Sequence, residues 1–109
     1  MSKKKVLVTG SSRGIGNSIL EFFLNDEFIP IGTATSSNGI EMIKKKFSDN
    51  NISGHALELD LNNTNSIENF FKNMKEEGLS PDILVNNAGI ARDNLMLRMS
   101  EQDLSLIHI

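Results

Sequence analysis

Three glycines punctuate Thr9-Gly10-Ser11-Ser12-Arg13-Gly14-Ile15-Gly16, between a short apolar run and a stretch with apolar residues at helical spacing. Residues without a Cβ let a backbone turn tightly and come close to a phosphate, while the free amides of a helix start offer donors at the positive end of its dipole. The spacing Gly-x-x-x-Gly-x-Gly, placed after a strand and opening a helix, is a variant of the dinucleotide-binding loop, so a pyrophosphate is expected there. A tight turn in an unrelated doubly wound domain would use the same glycines. No Gly-Lys-Ser/Thr follows, which excludes a Walker-type phosphate loop.

A carboxylate at the end of the second strand would hold a ribose 2′-hydroxyl and repel a 2′-phosphate. Here Ile31-Gly32-Thr33-Ala34-Thr35-Ser36 carries no acid, and Asp26 and Glu27 precede the strand. Arg13 is a cation within the glycine loop, and the hydroxyls of Thr33, Thr35 and Ser36 can donate to phosphate oxygens. NADPH is therefore expected over NADH. At the third strand end Asp60-Leu61 sets a carboxylate beside the expected adenine pocket, where it could accept from an exocyclic amine or cap the Asn-rich turn that follows. At the fourth, Asn86-Asn87-Ala88-Gly89 puts small and amide side chains where a ribose would pass, with Asn86 expected to tie strands together and Asn87 to face the ligand.

Other chemistry is scarce. There is no cysteine, which excludes disulfides and thiolate metal sites, and no tyrosine. Ser100 and Ser105 lack a partner base, and His55 and His108 read as a strand residue and a terminal residue. With 11 basic against 14 acidic residues the net charge is -3, contrary to the basic footprint of a nucleic-acid binder. The two lysine triplets, Lys3 to Lys5 and Lys44 to Lys46, read as a solvated lead-in and the polar face of a helix. No apolar run approaches the roughly 20 residues that span a bilayer. Neither a nucleic acid nor a membrane is expected as partner, no targeting segment is seen, and the expected setting is the cytoplasm, or an organelle stroma were the gene plastid-derived.

The elements that must position these residues alternate. Strands are expected at Val6 to Thr9, Phe28 to Thr33, Gly54 to Leu59 and Asp82 to Val85. Helices are expected from Arg13 or Gly14 to about Asn25, with Ile15, Ile19, Phe22 and Phe23 at helical spacing, from Ser37 to Phe47, with Ile40, Ile43 and Phe47 on one face, and from Thr64 to Lys75. The third is expected to be capped by Thr64 or Asn65, to turn Ile67, Phe70, Phe71 and Met74 inward, and to end at Gly78. A further helix start is expected at Ser100. At 109 residues this βαβαβαβ order allows one α/β domain, a parallel sheet with helices on both faces and ligands at the carboxyl ends of its strands.

Together, Thr9 to Gly16 and Asn86 to Gly89 resemble the paired signatures of the short-chain dehydrogenase/reductase family. Gly32-Thr-Ala-Thr-Ser-Ser-Asn-Gly39 and Gly89-Ile-Ala-Arg-Asp-Asn-Leu-Met-Leu-Arg-Met99 are similar to its bacterial-type 3-oxoacyl-[acyl-carrier-protein] reductases. The resemblance implies a Rossmann-type sheet, of which this chain supplies the first four strands in the order 3-2-1-4. It implies NADP(H) contacts at Gly10, Ser11, Ser12, Arg13, Gly14, Ile15 and Gly16, at Thr35 near the 2′-phosphate, at Asp60 and Leu61 around adenine, and at Asn87, Ala88 and Gly89. It further implies reduction of a β-keto group on an acyl carrier protein, and a homotetramer in the full-length protein.

Catalysis in that family uses a Ser, a Tyr and a Lys that lie beyond this stretch, so no catalytic residue is expected here and the chain alone is not expected to reduce ketones. Residues 1–103 read as the N-terminal part of the NADP-binding domain. Residues 104–109 depart from the family pattern, either because the natural helix diverges or, the preferred reading, because they are foreign sequence, and a chain cut there would leave the fourth strand with an unpaired apolar edge. Two alternatives stand beside this one: a small non-catalytic nucleotide-binding module complete at 109 residues, and a short-chain reductase for another carbonyl substrate.

Overall fold

A computed structural model describes residues 3–87 and 107–108. Five parallel strands, β1 (Lys4–Val8), β2 (Phe28–Ala34), β3 (His55–Glu58), β4 (Ile83–Val85) and β5 (Ile107–His108), form one sheet in the order β3-β2-β1-β4-β5. Three helices connect the first four strands: α1 (Gly14–Phe22), α2 (Ser37–Asp49) and α3 (Thr64–Glu76). The expected order 3-2-1-4 is present, extended by one strand. Ile107 and His108 pair with Ile83 and Leu84, so the edge of β4 that was expected to be bare is covered over two residues. The helix start expected at Ser100 lies outside the described residues, among which no helix is long and apolar enough to cross a membrane.

Side-chain alternation divides the core. Leu7, Ile31 and Leu84 point to one face and pack beneath α3 with Ile67, Phe70 and Met74. Val6, Val8 and Val85 point to the other and pack beneath α1 and α2 with Leu20, Phe23, Ile43 and Phe47. Pro30 sits within β2 opposite Val6, below the level at which β3 joins, since that ladder starts at Ile31 and His55. The amide that proline lacks therefore costs no ladder bond.

Three expectations need correction. First, α1 stops at Phe22 rather than Asn25, because Phe23 and Leu24 donate to carbonyls three residues back and the Asn25 side chain donates to Phe22 O (3.4 Å). Such local bonds from asparagine compete with the helix. Second, α1 turns Gly16 and Leu20 inward, followed by its C-cap Phe23, while Ile15 and Phe22 are 74% and 75% exposed. Third, the cap of α3 is neither Thr64 nor Asn65 but Asn63, whose Oδ1 accepts the Ser66 amide (3.1 Å).

Candidate functional site

The carboxyl ends of β2 and β4 flank the glycine loop that follows β1. Gly10 and Gly14 have φ of 61° and 62°, the left-handed region that a Cβ disfavours, one just after β1 and the other at the first residue of α1. Asn17 is the first residue of α1 seen to donate back to the loop, to Arg13 O (3.3 Å), so the amides of Gly14, Ile15 and Gly16 are the helix's orphan donors. A Cβ on Gly14 would have nothing within 4 Å, so the space at that residue is open. A Cβ on Gly16 would overlap the Gly10 carbonyl oxygen and stand 2.6 Å from Asn87 Nδ2, which lets α1 seat directly on the loop. The loop thus fits an approaching anion: its backbone is bare where the space is open and close-packed where the helix must dock.

Two elements hold the loop from either side. Toward β4, the buried Thr9 hydroxyl donates to Asn86 Oδ1 (3.0 Å) and accepts the Asn87 amide (3.0 Å), while Asn87 Nδ2 donates to Gly10 O (3.2 Å). Toward β2, Ser11 N donates to Thr33 O (2.9 Å), Thr33 N donates to Ser11 Oγ (3.1 Å) and Gly10 N donates to Thr33 Oγ1 (3.0 Å).

These bonds redistribute the roles expected from sequence. Thr33 is buried and its hydroxyl accepts from the loop, so of the three hydroxyls at the end of β2 only Thr35 and Ser36 are exposed. The Ser36 oxygen also caps α2 by accepting the Gly39 amide (3.1 Å). Ser11 is fully buried as well. Asn86 ties β4 to β1 as expected, and Asn87, expected to face the ligand, also bonds the loop through Nδ2. Asn86 Nδ2 is buried without a partner among the described residues. Asp60 Oδ1 accepts the Asn62 amide (3.0 Å) and Asp60 N donates to Ser66 Oγ (2.8 Å), so the carboxylate does shape the turn, while Leu61 is buried in the cluster beneath α3. Ala88 and Gly89 lie outside the described residues.

What remains toward solvent is a polar strip. Ser12 is half-buried, its Oγ 3.2 Å from where a Cβ on Gly39 would stand, which places it against the start of α2. Arg13 is exposed at the cap position of α1, with no ion-pair partner among the described residues. Thr35 and Ser36 complete the strip with no carboxylate between them and the loop in sequence along β2. Two and three turns along α2, Lys45 bonds Asp49 (2.9 Å), whose carboxylate raises the ammonium pKa. Among the described residues no group of three or more His, Cys, Asp and Glu could hold a metal ion.

Sequence reasoning missed Thr9 as a bridge and Gly32 and Gly39 as points of contact. A hydroxyl that closes an apolar strand run just before a glycine, and a glycine inside a strand pattern, are the signals that could have found them.

Comparison with known proteins agrees with this architecture. Residues 4–108 match the family model described as short chain dehydrogenase. A 3-oxoacyl-[acyl-carrier-protein] reductase FabG of Vibrio cholerae is 46% identical over 102 residues, which cover 94% of this chain and 41% of that protein. The protein of the same name from Escherichia coli is 44% identical over 100 residues, 92% of this chain and 40% of that protein. A crystal structure of a variant actinorhodin polyketide ketoreductase with NADPH superposes with a TM-score of 0.71 at 25% identity, covering 81% of this chain and 34% of that one. The chain thus spans about two fifths of the length of the curated relatives it matches.

Proposed function

The chain belongs to the short chain dehydrogenase family, and from that premise we propose that it is the cofactor-holding, N-terminal part of an NADPH-dependent 3-oxoacyl-[acyl-carrier-protein] reductase. One observation carries the cofactor choice: Arg13 at the start of α1 is exposed and without an ion-pair partner among the described residues, while the end of β2 carries the exposed hydroxyls of Thr35 and Ser36 and no acid. A guanidinium presents paired donors to a phosphate at its full charge, whereas a carboxylate there would repel it. The amides of Gly14, Ile15 and Gly16 would hold the pyrophosphate, with Ser12 beside them. Asp60 and the main chain at Leu61 would border the adenine, and Asn87 with Ala88 and Gly89 the ribose. Ser11, buried with its amide donated to Thr33 O, would act by holding the loop rather than by touching the cofactor. NADPH supplies a hydride to a carbonyl carbon.

The substrate class rests on relatives 44% to 46% identical that bear the reductase name, against 25% for the polyketide ketoreductase. A β-keto group on an acyl carrier protein is the substrate, residues 1–103 form the N-terminal part of the NADP-binding domain, and the longer protein is a cytoplasmic homotetramer. Reducing a ketone also needs a proton donor at the developing alkoxide. With no tyrosine among its 109 residues, this chain lacks the family's donor and does not reduce ketones unaided.

Fluorescence titration of the chain with NADPH and NADH tests the cofactor assignment. NADPH should bind more tightly, and Arg13→Ala should weaken NADPH by about tenfold or more while leaving NADH nearly unchanged, the scale of one charge-assisted hydrogen bond. Equal affinity for the two cofactors in the unaltered chain would overturn it.

A further inference from the structure

We propose that Ser11 and Thr33 are positioning residues, a buried side-chain clasp that fixes the glycine loop against the end of β2 and so sets where the loop's free amides meet the cofactor. The role toward a cofactor rests on the function proposed above. The regular ladder between β1 and β2 ends at Val8 and Gly32. Beyond it, the N–H, C=O and hydroxyl of Thr33 are all engaged by two consecutive loop residues. Ser11 N donates to Thr33 O (2.9 Å), Thr33 N to Ser11 Oγ (3.1 Å) and Gly10 N to Thr33 Oγ1 (3.0 Å), with the Ser11 hydroxyl also within 3.5 Å of Thr33 O. Ser11 is 0% and Thr33 1% exposed, so neither hydroxyl can reach a bound molecule.

Space enforces the same arrangement. A Cβ on Gly32 would stand 2.6 Å from Ser11 Oγ, so the hydroxyl occupies the room that glycine leaves, and Gly32, Ser11 and Thr33 act as one unit. The consequence reaches the ligand through Gly10. That residue carries the first positive φ of the loop, and its part-buried amide has Thr33 Oγ1 as acceptor. Removing the acceptor leaves the amide unsatisfied at the point from which the rest of the loop is aimed. Two of the loop's amides, on Gly10 and Ser11, are spent on β2, which confines anion binding to those from Ser12 onward.

The test compares Thr33→Val, which keeps the shape and loses the acceptor, with Thr33→Ser, which keeps it, in the 109-residue chain. Met74→Ala, beneath α3, serves as a destabilised control. Hydrogen exchange without ligand should show Gly10 losing protection by about tenfold or more in Thr33→Val relative to both other variants. NADPH affinity of the folded fraction should fall in Thr33→Val, and in Ser11→Ala, while Thr33→Ser and Met74→Ala keep it. Unchanged Gly10 protection in Thr33→Val overturns the clasp, and a loss of affinity equal in Met74→Ala and Thr33→Val reduces it to general stability. Should the unaltered chain bind no NADPH, the function proposed above fails and the clasp's role toward ligand falls with it, while exchange at Gly10 still decides whether the clasp holds the loop. Were Thr33→Val not to fold, Ser11→Ala against Thr33→Ser decides both points, with exchange read at the Thr33 amide, whose acceptor is Ser11 Oγ.

Discussion

Beneath α3, Phe70 lies fully buried among Leu7, Ile31, Ile67, Met74 and Leu84, whereas at the carboxyl end of β1 the buried side chains include Thr9, Ser11 and Thr33, each bonded to a neighbouring strand or loop. The first region gains its stability from apolar area, a term that is non-directional and roughly additive. The second gains little from area and depends on partners at the right distance and angle, because a buried polar group costs free energy unless it is bonded. Exchange of one apolar side chain for another should be tolerated beneath α3. Loss of a single atom at the glycine loop should not.

The largest effect expected is on the apolar side. Phe70→Ala should cost about 3–5 kcal/mol, the usual range for emptying a buried phenylalanine site. That is a large fraction of the roughly 5–15 kcal/mol that holds a domain together. Urea denaturation followed by circular dichroism would show it as a lower midpoint at unchanged slope. Phe70→Leu should cost far less. Equal costs for the two would mean that shape rather than area governs this face and would erase its contrast with the loop.

At the glycine end a sign, rather than a size, separates the two regions. Gly16→Ala would gain about 1 kcal/mol from helix propensity alone, since glycine is the poorer helix former. The added Cβ would overlap the Gly10 carbonyl oxygen and stand 2.6 Å from Asn87 Nδ2, and overpacking against backbone typically costs about 1–3 kcal/mol. A net loss of stability is expected, together with weaker NADPH binding. A gain in denaturation midpoint would show that α1 is free to shift and that the loop is held less tightly than its bonds indicate.

The same contrast explains what could be read without coordinates. Ile67, Phe70 and Met74 recur at helical spacing, and because burial by area needs only the right period, both the helix and its inward face were legible. The parallel sheet and its order 3-2-1-4 followed from the alternation of strands and helices together with the resemblance, and the structure shows them. Ser11 and Thr33 were read as facing a ligand, because a hydroxyl near a glycine loop has the same sequence signature whether it serves a phosphate or a neighbouring strand. Which it serves is decided by partners 22 or 23 residues away, a relation that no local pattern records. α1 and its C-cap Phe23 carry two apolar stripes, Leu20 and Phe23 inward and Ile15 and Phe22 outward, so periodicity alone could not choose the buried one.

The smallest effect expected lies where the two regions meet. Asn63 caps α3 through Oδ1 and the Ser66 amide (3.1 Å), while Ser66 Oγ accepts the Asp60 amide (2.8 Å) at the end of β3. Asn63→Ala should cost about 1 kcal/mol, the usual worth of such a cap, and Asn63→Asp should keep it, because a carboxylate accepts the same bond and favours the positive end of the helix. Thr64→Ala, one residue on and inside the first turn, should change little, which distinguishes the observed cap from its neighbour in a denaturation series. The informative readout is NADPH affinity. If Asn63→Ala lowers stability and leaves affinity unchanged, the cap belongs to the apolar region. If affinity falls with it, the Ser66 to Asp60 bond transmits the position of α3 to the adenine side of the strand ends, and the boundary between the two regions runs through α3 rather than beside it.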